Sequence, residues 1–233
     1  MSRSFAHLKS LEFLLGSLLT GTICLLVLFS GLLFPGADAI DLTARLLPPF
    51  ATFGHPFGTD PLGRDVLARV ITGGKISLQV GILSVAGAVV VGVVMGLISG
   101  YYRGFWDMLV MRFADVQLAL PFILLAITFI AIVGGGLRNM ILLLIVSQWV
   151  QYARLVRGSV LSLRDREFIQ SAQAIGVRDG NILFRHLLPN LIGPVVVLMT
   201  LNVANNILLE SSLTFLGLGV VGGWAPLAFM VGF

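Results

Sequence analysis

Four polar residues recur at every fourth position in a long apolar stretch between Leu191 and Gly217. Residues four apart lie on one face of an α-helix, so their side chains form a stripe. This polar stripe consists of Asn202, Asn206, Glu210 and Thr214. Exposing such groups to lipid costs free energy, so within a membrane they face the bundle interior or water, and an ionisable residue there is a functional candidate. Two roles stay open, lining a translocation path and hydrogen bonding between helices.

A second polar group lies near the end of the preceding apolar stretch, where Ser147, Gln151 and Arg154 are spaced by four and three residues. Ser147 and Gln151 are further candidates for the translocation path, although an interfacial position with side chains reaching water explains them equally well. The single cysteine, Cys24, permits no intrachain disulfide. The sequence contains no nucleotide-binding fingerprint and no metal-binding motif, so we expect no metal site.

The composition places these residues in a membrane. Of 233 residues, 57% are hydrophobic and 11% are charged, and the mean hydropathy is +1.00. A helix that spans a bilayer needs about 20 mostly apolar residues. Five stretches qualify, at roughly 11–34, 76–100, 108–133, 140–160 and 191–217. The sequence therefore predicts an all-α integral membrane protein with about five transmembrane helices.

The basic residues indicate the orientation of the chain. With a cytoplasmic N-terminus, ten of the 15 Lys and Arg residues lie inside and five outside, in agreement with the positive-inside rule. The net charge of +4 therefore reflects topology, and we expect no nucleic-acid partner. A cleaved signal peptide ending near Ala37 and Ala39 is a rival interpretation of the first stretch. A signal core spans about 7–15 residues, so the longer first stretch is interpreted as an uncleaved anchor.

The second and third stretches carry signals for helix packing and bending. Small residues at intervals of four in the second stretch leave a groove that another helix can approach closely. They are Ser84, Ala88, Gly92, Gly96 and Gly100. Pro121 in the third stretch predicts a kink, because proline removes a backbone donor and clashes with the preceding turn.

The outer segment before the second stretch predicts an ordered surface. Thr59 or Asp60 is predicted to cap a short helix that begins at Pro61, since both side chains accept N–H groups and proline suits a first turn. We interpret this helix as an interfacial element leading into the second stretch. Contact with an external substrate-delivery partner is the alternative.

A cytoplasmic loop of about thirty residues, 161–190, joins the fourth and fifth stretches and is rich in charge and helix formers. It predicts two short helices, the first ending at Gly176 and the second at Pro189. Phe168, Ala172 and Ile175 share one face of the first helix. That face predicts either a partner surface or packing of the helix on its own bundle.

The loop combines Glu167, Ser171-Ala172 and Gly176 with, after nine intervening residues, the run from His186 to Pro189. This pattern resembles the EAA loop of permease subunits of binding-protein-dependent ABC importers. Its full spelling is most similar to the dipeptide, oligopeptide and nickel branch. Residues 57–65, and Glu210 followed by residues 215–219, agree with that branch, so the resemblance extends from about 57 to 219.

The resemblance implies an ABC importer permease fold and a helix that docks on a cytoplasmic ATPase subunit. It also implies a second, related permease subunit and an extracytoplasmic substrate-binding protein, in the inner membrane of a bacterium. Small peptides are the first expectation for the substrate and nickel the second. ATP and magnesium belong to the ATPase partner, so neither a cofactor nor a catalytic residue is expected here. The implied ATPase-coupling residues are Glu167, Phe168, Ser171, Ala172, Ile175, Gly176 and Pro189.

We expect two regions, residues 1–56 as anchor helix and start of the outer loop, and residues 57–233 as permease core. Members of the family continue with a sixth span, whereas this sequence reads Trp224-Ala225-Pro226 and stops at Phe233. The tail after Pro226 is too short to cross a bilayer. The resemblance therefore predicts five spans and a sixth that is cut short.

Two other functional classes stay open. An ion-coupled secondary transporter would use Glu210 and Asp115 as coupling carboxylates, and it predicts internal repeats, of which the sequence contains no convincing example. A non-transporting assembly subunit fits the shortened end. Association with an ATPase separates the importer from the secondary transporter, and ATP-dependent uptake separates it from the assembly subunit.

Overall fold

The computed structural model describes residues 11–37 and 39–219. These residues form helices joined by turns and loops, with isolated β-bridges between Thr52 and His55 and between Thr59 and Asp65. The all-α class predicted from hydropathy is confirmed. The described residues divide into two compact units, one up to Ser77 and one from Leu78 onward. The predicted division at residue 57 stays a prediction.

The first unit begins with two helices, α1 (Leu11–Leu28) and α2 (Ser30–Leu33), which together occupy the predicted first span. Its apolar helix Leu14–Leu28 is shorter than the long helices of the chain. A short 3-10 helix follows at Leu42–Ala44, where the Asp41 carboxylate accepts the N–H of Thr43 at 2.9 Å. The interpretation of this region as an uncleaved anchor stays a prediction.

No helix begins at Pro61, where one was predicted. Asp60 closes a turn instead, because one carboxylate oxygen accepts the N–H groups of Leu62 at 2.8 Å and Arg64 at 3.0 Å. Gly63 has φ of +77°, a conformation that a helix does not contain. The helix starts at Val66, and the carboxylate of Asp65 accepts the N–H of Ala68 at 2.7 Å. The prediction was wrong because Asp60 and Asp65 are both suitable N-cap residues. The turn between them places Asp65, and not Asp60, at the start of the helix.

Asp60 also pairs with two arginines of this loop and the following helix. Its second carboxylate oxygen accepts Arg64 Nε at 2.8 Å and Arg69 Nη1 at 2.6 Å. Burial acts to raise the pKa of Asp60, but hydrogen bonds from Arg64 and Leu62 and the charge of Arg64 outweigh it, so this pKa lies below its ordinary value. The ionised carboxylate therefore stabilises the turn above its ordinary pKa, and this contribution is lost as pH falls through the lowered value.

Helix α3 runs without interruption from Val66 to Tyr102, over 37 residues. The expected interfacial helix and the second span are therefore one continuous element, which begins ten residues before the predicted start at Ile76. Val66 to Ser77 belong to the first unit, and the remainder of α3 belongs to the second.

In the second unit, the small-residue face of α3 packs against α6 (Leu137–Arg164). A Cβ atom on Gly96 would lie 2.6 Å from the carbonyl oxygen of Ala153 and 2.7 Å from Val156 Cβ. A Cβ atom on Gly100 would lie 2.8 Å from Val160 Cβ. The same face carries Ala88, which is fully buried, and Gly92. The two helices approach each other so closely that only small residues fit between them.

The predicted third span is broken at Pro121. Helix α4 (Gly104–Ala119) and helix α5 (Phe122–Val133) form an angle of 97°. Leu120 is extended, with ψ of 127°, as expected for a residue that precedes proline. The bend predicted at Pro121 is confirmed, and it is a break in the helix rather than a kink.

The remaining helices form the loop 161–190, predicted to be cytoplasmic, and the last described span. Helix α7 follows α6 closely, and three segments then run without a break from Asp179 to Phe215. The bounds are α7 Glu167–Ala174, α8 Asp179–Asn181, a π-helical segment Ile182–Leu187 and α9 Leu188–Phe215.

Three helices among the described residues are long and apolar enough to cross a membrane, and the bent pair α4–α5 makes a fourth if it counts as one span. They are Val66–Tyr102, Leu137–Arg164 and Asp179–Phe215. The count of five spans stays a prediction. The tail after Pro226 lies outside the described residues.

Candidate functional site

Helix α7, the first helix of the loop, ends at a left-handed glycine. Gly176 has φ of +75°, and its N–H donates to the carbonyl of Gln173 at 3.0 Å. The N–H of Val177 donates to the carbonyl of Ala172, also at 3.0 Å. These two bonds form the Schellman arrangement, which satisfies carbonyls at a helix end. The predicted end at Gly176 is confirmed.

Helix α7 presents an inner and an outer face. Ile169 and Ala172 are 0% and 6% exposed, whereas Phe168 and Ile175 are 44% and 80% exposed. The sequence predicted one face for Phe168, Ala172 and Ile175, open either to a partner or to packing on the bundle; Ala172 packs inward beside Ile169, and Phe168 and Ile175 stay exposed. The apolar surface open to a partner consists of Phe168 and Ile175. The exposed polar positions of α7 include Glu167 and Ser171.

The second half of the loop continues directly into the last described span. The prediction that Pro189 ends a short helix is wrong, because Pro189 lies in the first turn of α9. Helix α9 continues the two preceding segments without a break, so Pro189 does not end the helix. The wider turns of the π-helical segment Ile182–Leu187 precede it.

Buried residues from both halves of the loop join the core of the second unit. The loop contributes Ile169, Ala172, Ile182 and Leu187 to a hydrophobic cluster. The same cluster contains Tyr101 of α3, Tyr152, Val156 and Val160 of α6, and Leu191 of α9. Because protein cores are close-packed, a displacement of α7 must also displace residues of α3, α6 or α9.

The polar stripe of α9 is bonded to other helices. Asn206 Nδ2 donates to Ser84 Oγ of α3 at 2.7 Å, and its Oδ1 accepts the amide of Gln148 of α6. Asn202 Nδ2 donates to the Tyr152 hydroxyl at 3.0 Å. Asn206 and Asn202 are 0% and 6% exposed. Of the two roles left open by the sequence, the geometry supports hydrogen bonding between helices.

The remaining candidates for the translocation path lie along the same pair of helices. Thr214 Oγ1 donates to Glu210 Oε1 at 3.1 Å, and both residues are buried. Gln151, which is exposed, accepts a hydrogen bond from Asn202 at 3.2 Å. The Ser147 hydroxyl donates to the carbonyl of Leu144 at 3.0 Å within α6. Their role in lining a path stays a prediction.

Gln148 and Tyr152 were not predicted from the sequence as partners of the polar stripe, and Ile169 was not predicted to lie in the core. Gln148 and Tyr152 lie four residues apart on α6, as do their partners Asn206 and Asn202 on α9. The matching interval in two antiparallel helices is the signal that could have identified the pairs. Ile169 lacked a comparable signal, because α7 also exposes apolar residues.

Replacing Asn206 by leucine is expected to destabilise the purified protein, because Ser84 and Gln148 would lose a buried partner. Leaving buried polar groups without a partner costs roughly 1–3 kcal/mol. Thermal unfolding in detergent measures the change. Asn205→Leu is the matched control, since Asn205 is the exposed neighbour on the same helix. Equal melting temperatures for the two variants would contradict the role assigned to the bonds of Asn206.

Ion pairs connect α4 to α6. Arg157 holds Asp107 through Nε at 2.5 Å and Nη2 at 2.7 Å, and the Ser99 hydroxyl donates to the same carboxylate at 2.5 Å. Arg154 pairs with Asp115 at 2.6 Å in a more exposed position. Asp115, one candidate carboxylate for ion coupling, is therefore already paired with a cation.

The chain is similar to known transport proteins. Residues 92–233, more than half of the chain, match the family described as binding-protein-dependent transport system inner membrane component. The dipeptide transport system permease protein of Alkalihalophilus pseudofirmus is 41% identical over 218 residues, which cover 93% of this chain and 71% of that protein.

Two glutathione transport system permease proteins are also similar. Those of Pectobacterium atrosepticum and Escherichia coli O6:K15:H31 are 42% and 45% identical over 165 residues, or 71% of this chain. The match covers 55% and 54% of their own lengths, so the chain spans about half of these two relatives. The family match and the identity over nearly the whole chain lead to one assignment. The chain belongs to the family of binding-protein-dependent transport system inner membrane components, the permease subunits of ABC importers.

Proposed function

We propose that this chain is the transmembrane permease subunit of an ATP-driven importer that moves small peptides across the inner membrane of a bacterium. The observation that carries the proposal is the loop helix α7, which combines an outer apolar surface, Phe168 and Ile175, with inner residues fixed in the core. The family match and the relatives named for dipeptide and glutathione transport support the substrate class.

The partners follow from the same proposal. Cytoplasmic ATPase subunits bind ATP and magnesium and carry out hydrolysis, whereas this chain contributes no catalytic side chain and no cofactor. A second, related permease subunit completes the path within the lipid bilayer. A substrate-binding protein delivers the peptide from outside. The absence of a nucleotide-binding fingerprint in the sequence supports this division of labour.

The packing of the loop suggests how motion reaches the path. A push on Phe168 and Ile175 displaces Ile169 and Ala172, which belong to the same core cluster as residues of α6 and α9. A shift between α6 and α9 then acts on the bonds of Asn202 and Asn206. Packed cores respond to such displacements by switching between discrete arrangements rather than by gradual deformation. The polar stripe is therefore proposed to rearrange when the ATPase closes.

Replacing Phe168 by glutamate is expected to weaken ATPase binding, because the buried apolar contact would be replaced by a desolvated charge. Because 44% of Phe168 is exposed before docking, the lost apolar contact accounts for up to about half of the roughly 1.5–3 kcal/mol that full burial of a phenylalanine side chain contributes, and the desolvation cost of the new charge adds to it. Affinity purification of the tagged chain from its native membranes, with quantification of the co-purified ATPase by mass spectrometry, measures it.

The matched control is Gln170→Glu, which adds the same charge at an exposed position of the same helix. Residues 168 and 170 point in roughly opposite directions on an α-helix. Equal loss of ATPase in both variants would indicate a general effect of charge, and equal retention would show that Phe168 is not at the interface. Either result would contradict docking through this surface.

Uptake by the reconstituted complex tests the proposed transport activity. The native complex is placed in proteoliposomes with its binding protein, and uptake of labelled dipeptide and of nickel is measured with and without ATP. Peptide uptake that requires ATP is expected. Uptake driven by an ion gradient without ATP would favour the secondary transporter. An intact complex that hydrolyses ATP without uptake of peptide or nickel would favour the assembly subunit.

A further inference from the structure

Tyr101, the penultimate residue of α3, lies where four elements of the second unit meet. Its hydroxyl donates to Asp179 Oδ1 of α8 at 2.7 Å and accepts from Gln173 Nε2 of α7 at 3.4 Å. Its carbonyl accepts Arg164 Nη1 of α6 at 2.6 Å, and the Arg164 guanidinium lies 5.9 Å from the centre of its ring. Tyr101 is 6% exposed and belongs to the core cluster.

The two hydroxyl bonds reach both sides of the turn at Gly176. Gln173 precedes this glycine and Asp179 follows it, so a single phenol oxygen connects the two halves of the loop. The bond to Asp179 is the shorter one, and a hydrogen bond to a carboxylate is stronger than one between neutral groups. Both are side-chain bonds, separate from the backbone hydrogen bonds that end α7.

The connection also leads from the loop to the polar stripe. Tyr101 is part of α3, the helix that carries Ser84, and Ser84 Oγ accepts the amide of Asn206. Between Ser84 and Tyr101, the small-residue face of α3 packs closely against α6. A displacement of the loop therefore has a route through α3 to the stripe, in addition to the routes through α6 and α9.

We propose that Tyr101 is a positioning residue of the coupling mechanism, which holds both halves of the cytoplasmic loop to the end of α3. This inference rests on the proposed function, because it describes how the loop of an ATP-driven permease transmits motion. The phenol hydroxyl is the group that acts, through Asp179 and Gln173. Tyr101 touches neither ATP nor substrate in this mechanism.

The test removes the hydroxyl alone. Tyr101→Phe keeps the ring in the core, and in the native complex it is expected to lower the amount of peptide taken up per ATP hydrolysed by about tenfold, the lower end of the effect of losing a hydrogen bond to a charged group. ATPase co-purification is expected to stay at the wild-type level. Tyr102→Phe is the matched control, since Tyr102 is the neighbouring residue and is 49% exposed.

Two further measurements separate positioning from a general structural role. Asp179→Ala is expected to lower the ratio in the wild-type background and to change it little in Tyr101→Phe, because each substitution removes the same bond between the Tyr101 hydroxyl and Asp179. Hydrogen exchange of residues 167–181 in the purified chain is expected to become about tenfold faster in Tyr101→Phe, as the loop opens more often.

The outcomes distinguish this inference from the proposed function. A wild-type ratio in Tyr101→Phe, an equal loss in Tyr102→Phe, or additive effects of the Tyr101 and Asp179 substitutions would overturn the role of Tyr101 in coupling. Failure of the wild-type complex to take up peptide with ATP would overturn the proposed function and the coupling role with it. Hydrogen exchange would then still show whether Tyr101 holds the loop.

Discussion

Replacing Gly176 by proline is expected to abolish coupled transport while the chain still inserts into the membrane. Gly176 has φ of +75°, whereas proline fixes φ near −65° and has no N–H. The bond from Gly176 to the carbonyl of Gln173 is lost, and the turn that connects α7 to α8 must adopt another path. Such backbone strain and loss of the cap amount to roughly 1–3 kcal/mol, which is sufficient to displace a short helix.

The measurement compares peptide uptake with ATP hydrolysis in the reconstituted complex, and membrane insertion is followed by the yield of the chain in the membrane fraction. Gly180→Ala is the control for a glycine substitution in the same loop, because Gly180 has no left-handed backbone and nothing lies within 4 Å of its Cβ position. We expect near wild-type uptake for Gly180→Ala. Wild-type uptake by Gly176→Pro would show that the geometry of this turn is not needed for coupling.

Local signals in the sequence were sufficient to predict part of the structure of the loop 161–190. The end of α7 at Gly176 was predictable because the left-handed backbone there requires only a glycine, and the residue type is known from the sequence. The role of Pro189 was not predictable in the same way, because proline is common both after a helix end and in a first turn. The helix in fact continues through Pro189 from the π-helical segment Ile182–Leu187, and that segment has no comparable local signal in the sequence.

The polar stripe shows a second limit. Spacing by four predicted one face for Asn202, Asn206, Glu210 and Thr214, and all four are buried. Their partners were not predictable, because Ser84 lies 122 residues from Asn206 and Gln148 lies 58 residues from it. The choice between a path and a network of bonds depends on which helices face the stripe. Helical periodicity predicts which residues share a face, but it does not predict which other helix packs against that face.

The largest effect on stability is expected for Gly96→Leu, which places a branched side chain between α3 and α6. Even a Cβ atom at this position would lie 2.6 Å from the carbonyl oxygen of Ala153. A contact with backbone cannot be relieved by rotation of a side chain, so the helices must separate. Overpacking costs about 1–3 kcal/mol and occasionally more. We expect a loss of monodisperse protein after detergent extraction and a lower melting temperature.

Gly158→Leu is the control for the size of the new side chain, since Gly158 lies on α6 with nothing within 4 Å of its Cβ position. Gly96→Ala adds a graded step and is expected to fall between the wild type and Gly96→Leu. Equal stability of the Gly96 and Gly158 leucine variants would contradict the close packing of α3 on α6. Ser84 of α3 also accepts a hydrogen bond from Asn206 of α9, so a displacement of α3 by the new side chain is expected to weaken this bond as well.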